Sequence, residues 1–265
     1  MSGLKNMHTS TFFINGLADF LQKELSVEKF PETEQGGIYY PSKRPVKRVG
    51  LALEPFPQLY DWVNETQIDA LWLHRPWKID LPSLPPDLGI LSHHLPFDEA
   101  LTMGYNRRLA DQLGATGNLQ PIGYKKSADG SGKTLPPRPI GMLIDINPQE
   151  FDLLLDRIKT IFDGYDRAEA GYGSGGWQPD SYRVAVVGAM TDALVREADE
   201  KGAHLYLTGA YRKAGQQAVD DTGMAVIAAG HRRSEERGIR MLAELIEEHL
   251  PVKCAVHEPV VAIKL

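Results

Sequence analysis

The sequence contains a single cysteine, Cys254, among 265 residues. One cysteine excludes an intrachain disulfide and any metal site built from several thiolates. No window approaches the roughly 20 apolar residues needed to cross a bilayer. The amino terminus lacks the charged-then-apolar pattern of a signal peptide. These absences predict a cytoplasmic protein without a membrane span, whose metal ligands, if it has any, are histidine and carboxylate.

An excess of basic charge is also missing. Lys and Arg number 29 against 35 Asp and Glu, which gives a formal net charge of −6 and a pI near 5.8. This balance argues against a broad phosphate-binding surface, so nucleic acid is not expected as a partner. The hydrophobic fraction of 42% is that of an ordinary globular protein. The length provides core for two modest α/β units or one larger unit.

The sequence contains an internal repeat. An apolar run, an amphipathic stretch and a second apolar run occupy residues 48–74, and the same order returns over 183–209. Apolar strands separated by a helix at this spacing predict parallel pairing through right-handed crossovers. The sequence therefore predicts an α/β fold of two related halves with mostly parallel central strands.

The predicted domain organisation places the first half at residues 1–125 and the second at 181–265. Residues 126–180 are expected to form a linker loop followed by an inserted strand and helix. Glycine, proline, serine and lysine are frequent over 114–139, which favours irregular structure there. A last pair of strands is predicted over 254–257 and 260–263.

Each half continues into a histidine that is followed four residues later by an acid: His94 and Asp98, then His231 and Glu235. Both pairs come just after a predicted buried strand, where ligands bind in open parallel sheets. A spacing of four brings two side chains to one helix face. Imidazole with carboxylate suits zinc, iron, manganese or nickel better than calcium. The alternative is that each acid only stabilises a helix N-terminus, but repetition of the pair favours metal binding.

Three more residues lie at predicted strand ends. His74 closes an apolar run and is a candidate third ligand, although a lone histidine there is more often structural. Arg75 follows it and could clamp an anionic substrate group, or it could be a solvated strand-end arginine. His93 is expected to be structural, because alternation along the strand points its ring away from that of its neighbour.

The order of His74, then the run ending in His94-Leu-Pro-Phe-Asp98, then Gly-His231-x3-Glu235 resembles the Nif-three-like family, whose members are often named GTP cyclohydrolase 1 type 2 homologues. The resemblance extends from the first repeated strand to the end of the chain. It implies two related α/β halves with a metal pair between them and assembly into a ring-shaped homohexamer. By the same resemblance, the three histidines would be terminal ligands, and the two carboxylates could bridge two ions.

The chain departs from the family pattern at three places. The family usually has two consecutive histidines where this chain has His74 and Arg75. It also often has an acid where this chain has Ala210 and a histidine near the position of Ala214. The ligand set therefore predicts one or two divalent transition-metal ions per chain.

Two functional hypotheses follow. One is a metal-dependent hydrolase of a small phosphorylated or nucleotide-like substrate, with Asp98, Glu235 and Arg75 in catalytic roles. The other is a non-catalytic metal-binding protein, a scaffold or a metal chaperone, because a partial ligand set is tolerated where no chemistry must be supported.

Overall fold

The computed structural model describes residues 11–258. They form two compact units, each with its own β-sheet. Within the described residues, the first unit comprises 11–24, 37–92 and 243–258, and the second comprises 25–36 and 93–242. In this part of the chain, no helix combines the length and apolarity that a membrane span requires.

The strands and helices are numbered in chain order. The strands are β1 (Gly37–Tyr40), β2 (Arg48–Ala52), β3 (Ala70–Leu73), β4 (Gly89–Ser92), β5 (Gln120–Lys125), β6 (Arg138–Asp145), β7 (Arg167–Glu169), β8 (Arg183–Val187), β9 (Leu205–Thr208), β10 (Ala225–Ala228) and β11 (Lys253–Val256). The α-helices are α1 (Ile14–Glu24), α2 (Glu32–Gln35), α3 (Leu59–Glu65), α4 (His94–Leu101), α5 (Arg107–Leu113), α6 (Phe151–Phe162), α7 (Asp192–Glu200), α8 (Gln216–Thr222) and α9 (His231–His249). Single 3-10 turns occupy Val27–Lys29, Leu81–Ser83, Gly173–Gly175 and Lys213–Gly215.

The sheet of the first unit has the strand order β1-β4-β3-β2-β11. All of these strands pair in parallel except β1, which lies antiparallel on β4. Every residue of β3 is buried, as expected for a strand of a parallel sheet whose two faces are both covered. Leu59 and Val63 of α3 pack with Leu71 and Leu73 of β3 in one apolar cluster.

The sheet of the second unit has the order β5-β6-β8-β9-β10-β7. β8, β9 and β10 are parallel, and the remaining pairings are antiparallel. Side chains at alternate strand positions, such as Val187 and Tyr206, face α7 and α8, which supply Val195 and Val219 to the same cluster. The core of this unit is therefore a sheet face covered by two crossover helices.

The two sheets repeat one motif, which confirms the predicted α/β fold with two related halves. β2-α3-β3-β4-α4 in the chain corresponds to β8-α7-β9-β10-α9, with α8 added between β9 and β10. The repeat also includes an antiparallel edge strand, since β1 pairs with β4 as β7 pairs with β10. Mostly parallel central strands result in both sheets.

One local prediction was wrong. Residues 120–125, expected to be irregular, form β5 and pair antiparallel with β6. Pro121 and Gly123 suggested a loop, but β5 is an edge strand with a single neighbour, and an edge tolerates proline because one side of the strand needs no ladder hydrogen bonds. The strand predicted from residue 254 is present as β11. The strand predicted over 260–263 lies outside the described residues.

Candidate metal centre

The pairing of β3 with β4 positions the first two candidate ligands. His74 follows β3 directly and its side chain is fully buried. β4 runs parallel to β3, with Leu91 beside Trp72, and ends two residues before His94 begins α4. The His74 ring stacks on Trp72 with centroids 6.2 Å apart. Because the carboxyl ends of parallel strands lie at one edge of a sheet, His74 lies at that edge of the first sheet.

His74, His94 and Asp98 form a group that could hold a metal ion. Each residue offers one ligand atom, and these atoms lie within 4.8 Å of one another. Nε2 of His94 lies 4.0 Å from Oδ2 of Asp98, one helical turn further along α4. Ligand atoms that share an ion at about 2.0–2.2 Å are roughly 3–4 Å apart, so a small closure would complete the contacts. Two imidazoles and one carboxylate are the protein ligands of many catalytic zinc and iron(II) sites.

His93 differs from its neighbour His94. It is only 1% exposed, and burial lowers the pKa of its ring from 6.5 to about 4 because the charged form loses its hydration. The ring is therefore neutral near pH 7. It is not one of the three residues whose ligand atoms converge in the described part of the chain.

The second histidine–acid pair lies at the start of α9, directly after β10. Nε2 of His231 lies 3.1 Å from Oε1 of Glu235, as the spacing of four predicts. The two side chains differ in environment, since that of His231 is 61% exposed and that of Glu235 only 1%. Gly230 precedes the helix with φ of +105°, a conformation that glycine adopts readily.

One member of each predicted pair lines a common cavity. Asp98 and His231 both border a cavity of about 180 Å³ within the second unit. Gly188 and Gly209, which follow the carboxyl ends of β8 and β9, form part of its wall. The group with ligand atoms within 4.8 Å comprises His74, His94 and Asp98 and does not extend to His231 or Glu235.

The close approach of α4 and α9 depends on Gly238. A Cβ atom there would lie 2.8 Å from Cζ of Phe97, 3.0 Å from the carbonyl oxygen of Leu101 and 3.1 Å from Cγ2 of Thr102. Gly238 lies three residues after Glu235, on the same side of α9. The absent side chain thus lets α9 pack closely against the end of α4.

Arg75, the predicted substrate clamp, has a nearby carboxylate. Its Nε lies 3.3 Å from Oε2 of Glu54, and its side chain is 22% exposed. Part of its positive charge is therefore compensated within the first unit.

Two charged residues of the cavity were missed by sequence reasoning. Glu99 lies on the α4 face that also carries Leu95, Asp98 and Thr102. These positions have the spacing of one helical stripe, so helical periodicity could have identified Glu99. Lys125 ends β5, in the segment expected to be a loop, and no sequence signal placed it near Asp98.

Comparison with known proteins connects the site to a family. Residues 82–264, more than two thirds of the chain, match the family model of Duf34/NIF3 (NGG1p interacting factor 3). A Pyrococcus abyssi protein named GTP cyclohydrolase 1 type 2 homolog is 26% identical over 252 residues, 89% of this chain and 94% of that protein. A protein of the same name from Neisseria meningitidis serogroup B is 25% identical over 247 residues, 87% of this chain and 92% of that protein.

Solved structures show that the fold is shared. A Bacillus cereus protein related to NIF3 superposes with a TM-score of 0.65 at 14% identity and covers 94% of this chain and 98% of that chain. Reduced HcgD from Methanocaldococcus jannaschii has a TM-score of 0.67 at 17% identity and covers 93% of this chain and 98% of that chain. At these identities the likeness is one of fold.

Proposed function

Because this chain belongs to the Duf34/NIF3 family, we propose that it binds a divalent transition metal and hydrolyses a small phosphorylated or nucleotide-like substrate. The observation that carries this proposal is the convergence of His74, His94 and Asp98, whose ligand atoms lie within 4.8 Å of one another. The name of its relatives, GTP cyclohydrolase 1 type 2 homolog, agrees with a hydrolytic reaction. The expected ions are zinc, iron, manganese or nickel.

In this proposal the three ligands fix the reaction centre at the carboxyl ends of β3 and β4. When bound, a divalent ion supplies Lewis acidity and lowers the pKa of coordinated water toward about 7. His74 and His94 would bind through neutral imidazole nitrogens, and Asp98 through a carboxylate oxygen. Arg75, beside His74, would bind an anionic group of the substrate in competition with Glu54, its partner at 3.3 Å.

Glu235 and His231 are proposed to handle the proton that the attacking water loses. The Glu235 carboxylate would accept it as general base, a role that requires Glu235 to lie near the attacking water. His231 lies 3.1 Å from Glu235 and its side chain is 61% exposed. This ring could pass the proton to solvent, which would restore the carboxylate for the next turnover.

A second candidate function is metal binding without catalysis, as in a metal store or chaperone. Comparison of the two halves of the repeat supports this second candidate function. Gly209 occupies in the second half the position that His74 occupies after β3 in the first, and Arg75 stands where the family pattern has a second histidine. An incomplete ligand set is tolerated where an ion is carried rather than used.

The test combines metal analysis with a hydrolysis screen on purified protein replenished with each candidate ion. We expect Asp98→Asn to lower metal affinity by at least about tenfold, because an amide is a weaker ligand than a carboxylate, and to abolish turnover. Asp111→Asn is the matched control, since Asp111 is an exposed partner of Arg107 on α5. Unchanged metal content in Asp98→Asn would overturn the proposed site. Metal binding without turnover on any phosphate ester or nucleotide would favour the second candidate function.

The homohexamer that the family resemblance implies is also a proposal. Light scattering should give a mass near six times 29.4 kDa, the mass of one chain. A monomeric mass would contradict it.

A further inference from the structure

We propose that the 180 Å³ cavity of the second unit is the substrate pocket and that it selects a small phosphate monoester over a whole nucleotide. This inference rests on the proposed function, because it names the substrate class for the same site. Asp98 and His231 connect the cavity with the proposed metal-dependent function, since each is a predicted metal ligand and each lines the cavity.

The cavity volume sets the size of the ligand. The cavity measures about 180 Å³. Pockets that enclose ligands of drug size measure about 300–1,000 Å³. A nucleoside triphosphate could therefore insert only one end, whereas a phosphate group with a short or single-ring organic body would fit entirely.

The charges at the cavity favour an anion once a metal is bound. The lining carries the carboxylates of Asp98 and Glu99 and the ammonium of Lys125. A divalent ion on Asp98 would add two positive charges to this set. The cavity then attracts an anionic group, as charged clefts concentrate ligands of opposite sign.

Lys125 is the residue best placed to bind the phosphate. Glu99 accepts a hydrogen bond of 2.7 Å from Nε of Arg138, so its charge is already compensated by a buried guanidinium. Nζ of Lys125 lies 3.9 Å from Glu99, and its side chain is 52% exposed. That distance exceeds a hydrogen bond, which leaves the ammonium able to donate to an incoming phosphate oxygen.

The N-terminus of α9 adds a second attraction for an anion. His231 and Ser234, both on the first turn of this 19-residue helix, line the cavity. The N-terminal turn of a helix carries partial positive charge, and phosphate groups bind there in many proteins. The anion would therefore be held from two elements, α9 and the end of β5.

The remaining lining suits a small carbon body. Leu95, Met103 and Ile140 supply apolar side chains. Gly188 adds no side chain to the lining, and a Cβ at this position would meet no atom closer than 3.9 Å, the carbonyl oxygen of Met103. Gly188 does not belong to the glycines with positive φ. A larger side chain at this position would accordingly fill the cavity without a collision of its Cβ.

Two variants of the full chain test the pocket, with inorganic phosphate, phenyl phosphate and guanosine triphosphate as probes in calorimetric titrations of metal-loaded protein. We expect Lys125→Gln to weaken phosphate binding by about tenfold or more, since a hydrogen bond to a charged group is lost. Lys126→Gln, the exposed neighbour outside the cavity lining, should bind phosphate within about twofold of wild type. Gly188→Val should weaken phenyl phosphate binding by about tenfold while metal content stays unchanged.

Different outcomes would overturn the phosphate pocket and the proposed metal-dependent function. Phosphate binding that neither Lys125→Gln nor Gly188→Val weakens would overturn the pocket, even if metal binds. Tighter binding of guanosine triphosphate than of phenyl phosphate would overturn the size selection. Absence of bound metal in wild type would instead overturn the proposed function, and titration of the metal-free chain with inorganic phosphate would then decide the role of Lys125 by itself.

Discussion

The imidazole of His74 and the carboxylate of Glu235 are among the most deeply buried polar groups in the described part of the chain, with exposures of 0% and 1%. Burial of a polar or charged side chain costs free energy unless hydrogen bonds, an opposite charge or a metal ion compensate for the lost hydration. Both residues follow parallel strands at the carboxyl edge of a sheet. For Glu235, His231 at 3.1 Å supplies part of this compensation; for His74, we propose that a metal ion shared with His94 and Asp98 contributes to it.

Arg138 and Glu99 form a buried ion pair, in which each charge offsets part of the free energy that burial of the other costs. Its side chain is 4% exposed and lies 2.7 Å from Glu99, which is 14% exposed. Burial raises the pKa of Glu99, an effect that the Arg138 hydrogen bond opposes. We expect Arg138→Met to lower the unfolding free energy at pH 7 by about 3–5 kcal/mol, because it leaves a buried carboxylate without its main partner.

Urea denaturation of three variants checks this expectation. The double variant Glu99→Gln with Arg138→Met should recover most of the loss, since no buried charge remains. Arg107→Met, which breaks an exposed ion pair with Asp111, should cost no more than about 1 kcal/mol. Equal losses for Arg138→Met and Arg107→Met would contradict the account.

Cys254 provides a prediction about reactivity. Burial raises the pKa of its thiol from 9.0 to about 12, and the nearby Glu247 adds to the effect. The thiolate is the reactive form, so labelling with a disulfide reagent at pH 8 should be at least about 100-fold slower in the folded protein than in guanidinium chloride. Because the folded pKa exceeds the unfolded one, this group stabilises the fold below pH 9 and loses that contribution between pH 9 and 12. Equally fast labelling of both states would show that the thiol is not protected.

Individual site residues were predictable where they share one element. The spacing of four in each histidine–acid pair predicted the contact between His231 and Glu235, which is 3.1 Å in the structure. Lys125 was not predictable, because its place beside Glu99 depends on the return of β5 along β6. A contact between residues of different elements is set by tertiary pairing, which local spacing does not encode.

At the scale of elements, the crossing of α4 and α9 is set by one missing side chain. Alanine at Gly238 gains up to about 1 kcal/mol of helix propensity. Its Cβ, however, would lie 3.0 Å from the Leu101 carbonyl oxygen and 2.8 Å from Phe97, and overpacking of this kind costs about 1–3 kcal/mol. We expect Gly238→Ala to lower the unfolding free energy by about 1 kcal/mol and to weaken metal binding, since α4 must move.

Thermal unfolding and metal titration of Gly238→Ala would test this expectation. Gly130→Ala is a suitable control because a Cβ at Gly130 meets no atom within 4 Å. Stability and metal affinity equal to wild type in Gly238→Ala would show that the helix crossing does not position the site.

The central parallel strands could be predicted from the sequence, whereas the edge strand β5 could not. β3 is a continuous apolar run, β9 is apolar up to its last residue, Thr208, and all residues of both strands are buried. β5 has only two buried residues, Ile122 and Gly123, and contains Pro121. An edge strand has one partner and one covered face at most, so it carries a weaker apolar signal than a central strand.

At the scale of the whole molecule, the duplication explains why two histidine–acid pairs exist and why they are not equivalent. The repeated strands and helices place His94 and His231 at corresponding helix starts. After the preceding strand, however, His74 in the first half corresponds to Gly209 in the second. The first half thus contributes a group of three ligands, whereas the second half contributes a pair and a cavity wall.

Metal binding should be visible as stabilisation of the fold. A ligand at about 100 times its dissociation constant stabilises the native state by about 2.7 kcal/mol, and each kcal/mol raises Tm by about 2–4 °C in a chain of this size. We expect a zinc- or manganese-dependent rise of about 5 °C or more in wild type and in Asp111→Asn. The Asp98→Asn variant should shift by no more than about 1 °C. A similar rise in all three proteins would place the stabilising ion elsewhere.

The most direct test of the central claim is an anomalous-scattering map of crystals grown with a single transition metal. We expect a peak about 2.0–2.2 Å from a ring nitrogen of His74, a ring nitrogen of His94 and a carboxylate oxygen of Asp98. Ordered density for these three side chains without an anomalous peak between them would contradict it.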